Sequence, residues 1–341
     1  MARITLREVA AAAGVSIFTA SKALSGQGAG ARISPATVEQ VRAVALELGY
    51  VANQTARNLR AQRTGQLGIV LSFLDTQSPS LLLSLDGGLL AGLSIAAREC
   101  QLPAVVIYPQ PDSTALTDPA PYLDGRIDGL LVRCGMQQEA QLLSLIEPAR
   151  LPLVAVWRQE VPDGVGFVDA DHYGGAYRAV RHLLDLGHRR IAFLFPQAHA
   201  AHPHYLARCA GYRAALEDAG VAARSIWCLS DVHQVLTLLR THEPITAVFA
   251  ATDLQAAELA GALATNGIQI PRDVSLVGFD DMVGADLIAG GLTTVHHPIQ
   301  EMAVQAVRNL LALIDGAEAE ACRTVVPTPL VVRCSTAPPR T

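Results

Sequence analysis

The sequence predicts two fold classes in one chain: an all-α head of about fifty residues followed by an α/β body with parallel sheets. Three observations predict this. Charge is divided unevenly, because residues 1–63 hold eight Lys/Arg against three acids, whereas the remainder holds eighteen against twenty-eight. Two short helical segments meet at a single glycine turn near the start. From residue 67 onward, strand-like apolar runs alternate with helix-length segments. With 341 residues, half of them apolar, the chain is long enough for more than one compact unit.

The first helix is marked by Thr5 and Glu8, three apart, which fit a capping box, and Gly14 offers a left-handed stop after "EVAAAAG". Ser16 can cap a second helix, "IFTASKAL", with only Val15 between it and Gly14. That spacing is a helix-turn-helix signature. Ser34 and Pro35 supply a cap and a first-turn proline for a third helix that runs to Gly49, with Val38, Val41, Ala45 and Leu48 on one face. In this arrangement the second helix enters a DNA major groove, and Ile17, Phe18, Ser21 and Lys22 face the bases. The alternative is an amphipathic helix that buries Phe18. Lys22 is the sole lysine beside 25 arginines, a placement that a G- and C-rich genome could also leave by accident.

The body begins at the strand-like run "LGIVLSF" and continues through "AVVIY", "DGLLV", "LPLVAV", "RIAFLF", "TAVFAA" and "VSLVGF", each followed by a helix-length stretch. Such alternation indicates parallel sheets flanked by helices. No apolar run reaches the ~18 residues of a membrane span, and "MARITLREVA" carries acid and base where a signal peptide is apolar, so neither secretion nor membrane insertion is expected. Six cysteines without a C-x-x-C pair read as reduced packing residues. His199, His202 and His204 in "HAAHPH" read as a surface loop in preference to a metal site. Phosphate-loop and serine-elbow motifs are absent, and no metal or cofactor is expected.

"ITLREVAAAAGVSIFTASKALS", "LGYVANQTARNLR", "LLDLGHRRIAFL", "RCAGYRAAL", "IPRDVSLVGFDD" and "LVVRCST" occur in this order and resemble the lactose-repressor/galactose-repressor family of bacterial transcription regulators over essentially the whole chain. One departure is "SGQGAGARI" after Leu24, about three residues longer than the family's loop and loosened by its glycines. The resemblance implies a helix-turn-helix headpiece (1–50), a hinge linker (51–63) and a periplasmic-binding-protein-like effector and dimerisation domain (64–341). Its two parallel-sheet subdomains would span about 66–165 with 298–326, and about 166–295 with 327–341.

The same resemblance implies DNA contacts from Thr5, Ser16, Ile17, Phe18, Thr19, Ser21 and Lys22 in the head, and from Asn53, Ala56, Leu59 and Arg60 in the linker. Residues 53–60 would form a helix only on DNA, consistent with a length well below the ~12–15 residues of a marginally stable isolated helix. Leu59 would wedge into the central base step, unless it packs on its own head. Effector contacts are implied for Phe73, Trp157, Arg208, Asp253, Asp280 and His297, in the crevice beyond the strand ends. A guanidinium fork and a carboxylate suit the vicinal hydroxyls of a sugar, and Trp157 could stack on a pyranose. Packing between subdomains is the alternative for Trp157, and a structural ion pair for Arg208.

The expected function is a cytoplasmic, nucleoid-bound, homodimeric repressor of a carbohydrate-utilisation operon, bound to a near-palindromic double-stranded operator and released by a small sugar. The alternatives are a purine-like corepressor system, a simple sugar-binding module and a sugar-acting enzyme. The module would lack the basic head, and the enzyme would need a proton-transfer pair that the sequence does not offer.

Overall fold

A computed structural model of the protein describes residues 4–24, 33–50, 63–71, 79–109, 119–133, 136–196, 201–222 and 227–340. Two compact units result, Met1–Thr64 and Gly65–Thr341.

The first unit contains α1 (Leu6–Ala12), α2 (Ile17–Leu24) and α3 (Pro35–Glu47). Local chemistry sets each boundary. The Thr5 amide donates to Glu8 Oε2 at 2.7 Å, and the Glu8 amide donates back to Thr5 Oγ1 at 3.4 Å, closing the capping box. Gly14, at φ +65°, ends α1 while its amide and that of Val15 satisfy the Ala11 and Ala10 carbonyls, the paired bonds of a Schellman turn. Only a residue tolerant of left-handed backbone turns the chain so sharply. The Thr19 amide donates to Ser16 Oγ at 3.0 Å, and that of Thr37 to Ser34 Oγ at 3.1 Å. Val9, Ala10, Ala13, Ala20, Ala23, Val41 and Ala45 form a small core.

The second unit holds two sheets of six strands. In the first, the order is β11 (Arg323–Val326), β5 (Gly166–Ala170), β4 (Leu153–Val156), β3 (Gly129–Arg133), β1 (Gln66–Leu71), β2 (Ala104–Pro109), all parallel. In the second, the order is β12 (Leu330–Val331), β10 (Thr293–His296), β9 (Ser275–Asp280), β8 (Ala247–Ala250), β6 (Ile191–Leu194), β7 (Trp227–Leu229). Here only the β10–β12 pair is antiparallel.

Both faces of each sheet are covered, which is why the strands are nearly continuous apolar runs. Leu67, Ile69 and Leu131 pack with α4 (Pro79–Glu99) and α10 (Ile299–Ile314), while Val70, Leu130 and Val132 turn to the other face and meet α5 (Met136–Ile146). In the second sheet, Phe193, Phe249 and Val277 pack with α6 (His172–Asp185) and α7 (Pro203–Asp218). Ala192, Val248 and Leu276 face α8 (Val232–Leu238) and α9 (Asp253–Thr265). Gly211 lets α6 and α7 approach until a Cβ there would collide with the Tyr173 carbonyl.

The resemblance places Gly166–Ala170 in the second subdomain, but the strand pairs with β4 and β11 in the first sheet. "GFVDA" contains a glycine and an aspartate, so its apolar signal is weak; the strand is made by its neighbours. The chain therefore crosses between sheets after Ala170. It crosses again between β10 and α10, and between β11 and β12. The first and third crossings are tied together, since the Asp171 amide donates to the Val326 carbonyl at 2.9 Å and Arg178 donates to the Thr328 carbonyl at 3.0 Å.

Candidate functional site

In the first unit, α2 presents its polar and aromatic face outward. Phe18 is 69% exposed and Ile17 46%, so Phe18 is a surface residue and not the buried side of an amphipathic helix. Lys22 Nζ lies 5.3 Å from the centre of the Phe18 ring. Ser21 and Thr19 are half-buried beside them, Ser16 is exposed at the helix start, and Thr5 is occupied in its capping box. Asn53, Ala56, Leu59 and Arg60 lie outside the described residues, as does most of the loop after Leu24.

The second unit gathers its polar side chains where the carboxyl ends of both sheets meet. Arg208 on α7 is 4% exposed; it donates to the Ala251 carbonyl, to His172 Nδ1 (3.2 and 3.3 Å) and to Asp280 Oδ1 (3.2 Å). Its guanidinium lies over the Phe279 ring, 3.6 Å from the centroid. His297 Nδ1 is 3.6 Å from the same Asp280 oxygen. Three of the expected residues, Arg208, Asp280 and His297, are thus joined in one contact chain. Trp157 joins them through His297, with ring centres 5.9 Å apart. Strain accompanies this placement: Trp157 and Asp280 sit at φ +68° and +116°, backbone that only a well-determined surrounding holds in non-glycine residues.

Asp253 does not share their position. Thr294 Oγ1 donates to its Oδ1 at 2.6 Å and the Met282 amide to its Oδ2 at 2.8 Å, so its oxygens are spent on β10 and on the turn that follows Asp280. It holds the site from behind. Burial, with Asp280 next, pushes its carboxyl up to about 7. Phe73 lies outside the described residues. Asp280 and Asp281 diverge where β9 ends in left-handed backbone, at φ +116° and +52°: Asp281 turns to Arg333 at 2.7 Å and to His296 at 3.0 Å.

Several residues that sequence reasoning missed complete the cluster. Arg133, at the end of β3, lies over the Trp157 ring at 4.3 Å and 3.9 Å from Asp86. Asp169 on β5 faces His172 Nε2 at 3.4 Å and His204 Nε2 at 3.6 Å. His204 is on α7 inside the cluster, which corrects its reading as part of a surface loop; His202 caps that helix, and His199 lies outside the described residues. Arg133 ends β3 and Asp169 is the penultimate residue of β5, so the rule that ligands bind beyond carboxyl ends could have found them.

The imidazoles of His172 and His204 stack at 4.1 Å, and burial first, then neighbouring cationic groups, holds both well below the ordinary histidine range. They are neutral donors and acceptors at physiological pH. Ligand atoms of Asp169, His172 and His204 lie within 4.8 Å of one another, a spacing that one metal ion could bridge. The hydrogen bonds oppose that use. Arg208 donates to His172 Nδ1, which leaves the His172 proton on Nε2, and His204 Nε2 donates to the Trp157 carbonyl at 3.0 Å. As arranged, both nitrogens facing Asp169 are donors, whereas metal ligation needs their lone pairs.

The buried side-chain atoms without a hydrogen-bond partner among the described residues include Tyr108 Oη and Gln255 Oε1 elsewhere and, within this cluster, both oxygens of Asp86, Trp157 Nε1, His172 Nε2 and both nitrogens of His297. Polar atoms buried this way cost stability, and finding them in one contiguous chain calls for an explanation. A molecule bearing many hydroxyls would satisfy them.

Comparison with known proteins gives the same two parts. A family profile described as "Bacterial regulatory proteins, lacI family" matches residues 5–53, and one described as "Periplasmic binding protein-like domain" matches residues 180–336. The HTH-type transcriptional regulator CelR of Thermobifida fusca is 32% identical over 97% of this chain and 98% of its own length. DegA of Bacillus subtilis (strain 168), also an HTH-type transcriptional regulator, is 30% identical over 98% of this chain and 99% of its own. Among solved structures, a CelR-cellobiose complex covers 98% of this chain and 100% of its own at 30% identity with a TM-score of 0.65. The lac repressor dimer bound to operator covers the same shares at 24% identity with a TM-score of 0.76, a likeness of fold.

Proposed function

From the premise that the chain belongs to the lacI family of bacterial regulatory proteins and is a DNA-binding transcriptional regulator, we propose that it represses a carbohydrate-utilisation operon and is released by a small sugar. The observation that carries the sugar reading is the chain of unsatisfied buried polar atoms beside the Arg208–Asp280 pair. Hydroxyl groups both donate and accept, so one polyol can answer Asp86, Trp157 Nε1 and His297 together. Three carboxyl groups (Asp86, Asp169, Asp280) face two guanidinium groups (Arg133, Arg208), and this balance favours an uncharged sugar over a sugar phosphate. The relative solved with cellobiose supports the same class.

In this reading α2 reads the major groove, the linker residues Asn53, Ala56, Leu59 and Arg60 engage the minor groove, and a homodimer spans a near-palindromic operator in the cytoplasm. Among the described residues no helix is long and apolar enough to cross a membrane. The sugar acts by preferring one angle between the subdomains; a ligand with equal affinity for both states would shift nothing. No step of this cycle requires catalysis.

A flat heterocycle acting as corepressor is the second reading, favoured by the stacked rings of His172 and His204 and by the guanidinium over Trp157. One experiment separates the two: thermal melting and operator binding against a panel of mono- and disaccharides, their phosphates and nucleobases. A ligand at 100 times its Kd stabilises by about 2.7 kcal/mol. The sugar reading expects a neutral saccharide that stabilises the protein and releases operator. A nucleobase that tightens operator binding would replace it with the second.

A further inference from the structure

We infer that Cys209 and Cys228 form a peroxide-reactive dithiol, a modification site that closes to a reversible disulfide between α7 and β7. The sulfurs are 3.6 Å apart, although the residues are nineteen apart in sequence and belong to different elements. The approach is built into the fold. Tyr212, fully buried one helical turn after Cys209, donates its hydroxyl proton to the Ile191 carbonyl at 2.8 Å and accepts from the Trp227 amide at 3.1 Å. That clamp fixes β7 against α7 one residue before Cys228. Bringing two sulfurs from this separation to the ~2.05 Å of a disulfide needs a movement on the scale of a χ1 adjustment.

Accessibility and charge fit the chemistry. Both cysteines are half-buried, so a small oxidant reaches them. The exposed Arg213 places Nη2 3.6 Å from Cys228 Sγ. The hydrogen bond from Cys228, with Arg213 adding to it, lowers the Cys209 thiol to about 6, while the same bond and burial hold the proton on Cys228. The direction of these shifts makes Cys209 the nucleophile and Cys228 the resolving thiol.

In the first step, the Cys209 thiolate attacks one oxygen of hydrogen peroxide. The S–O bond forms as the O–O bond breaks, and the departing hydroxide takes a proton to become water. Cys228 then attacks the sulfenic sulfur, the S–S bond forms, and the hydroxyl leaves with the Cys228 proton as a second water. Two thiols are oxidised and one peroxide is reduced to two waters. A thiol reductant reverses the bond by exchange. Cys209 adjoins Arg208, whose guanidinium contacts Asp280, so the modification fixes the helix that carries a cleft residue.

The test uses the full chain, reduced and then freed of reductant. On adding hydrogen peroxide, intact mass should fall by two hydrogens, non-reducing peptide mapping should show Cys209 joined to Cys228, and dithiothreitol should restore the mass. Oxidised protein should melt a few degrees higher, because the cross-link constrains the unfolded chain. Cys228→Ser should instead leave a sulfenic acid at Cys209 that dimedone captures, and Arg213→Gln should slow the wild-type reaction several-fold. The inference is overturned if peroxide oxidises the exposed Cys334 while Cys209 and Cys228 stay as thiols. Sulfinic acid at Cys209 without any cross-link would overturn it equally.

Discussion

The second helix of the head leaves Phe18 69% and Ile17 46% exposed, whereas the cleft keeps Arg208, Asp280, His172 and His297 at 6% or less. Each suits a different kind of partner. A groove in DNA is wide and already ordered, so its reader needs reach and positive charge and can tolerate water. A small polyol offers little area, so its site must supply fixed donors and acceptors in a dry place. The difference predicts how substitutions behave: on α2 they should change binding and leave the fold alone, whereas in the cleft function and stability should be entangled.

The largest expected effect tests that entanglement. Arg208→Ala removes the partner of a buried carboxylate and three further contacts, which should cost about 3–5 kcal/mol of body stability and abolish the response to sugar. Operator binding should survive at temperatures below the lowered melting point, since the reading helix belongs to a separate compact unit. Arg208→Lys keeps the charge without the planar fork and should recover stability more than sugar response. An Arg208→Ala protein that melts normally and still releases operator on sugar would erase the contrast between the two regions.

A second effect is read through pH. The Asp253 carboxyl is raised to about 7, so between its unfolded value and that point the folded state binds the extra proton. Stability from this group is full below pH 4 and declines as pH rises toward 7, by about 2–4 kcal/mol in total. His172 and His204 act oppositely, because histidines lowered by burial make the unfolded state the better proton binder, and their stability is lost as pH falls below about 6.5. Asp253→Asn isolates the first contribution. The wild type minus this variant should show stability decreasing from pH 4 to 7, measured by urea unfolding; a flat difference would mean that Asp253 is ionised throughout.

The same contrast explains what could be read from sequence. In the head every determinant is local: Thr5 with Glu8, Gly14 after α1, Ser16 before α2, Pro35 after Ser34. Spacing alone therefore located the helices. In the cleft the partners are far apart in sequence, as with Arg208 and Asp280 or His172 and Arg208, and they meet only because α6, α7 and β9 pack together on the second sheet. Arg208, Asp280, Trp157 and His297 were legible only by resemblance. Asp169 and His172 were missed because β5 carries a weak strand signal and the helix after it starts with a histidine that reads as polar surface. Asp253 was likewise legible only by resemblance, and sequence cannot tell that Thr294 and Met282 occupy its oxygens.

On the exposed side, Lys22→Ala should cost about 1–3 kcal/mol on the operator and relax preference at one symmetric pair of positions, the signature of a base contact. A phosphate contact would weaken all sequences alike and lower the salt slope by about one. Head stability should not change. Lys22 is the only lysine, so reductive methylation modifies only it and the chain's amino terminus, and operator should protect its signal. Methylation at an unchanged rate in the complex would turn this face of α2 away from DNA.

The smallest effect sits where the two kinds of role meet. Ser16 is exposed at the start of α2, and its Oγ accepts the Thr19 amide at 3.0 Å, so it is both a cap and a candidate phosphate contact. Ser16→Ala should lower head stability by about 1 kcal/mol and weaken operator binding, which leaves the two roles mixed. Ser16→Asp separates them. Aspartate caps as well as serine, and its charge at a helix N-terminus adds a favourable interaction of about 0.3–1 kcal/mol, so the head should melt no lower than wild type. Facing a phosphate, the same charge is repelled, and operator affinity should drop below that of Ser16→Ala. If Ser16→Asp instead binds operator as well as wild type, Ser16 is a cap alone, and the DNA-facing surface of α2 begins at Ile17.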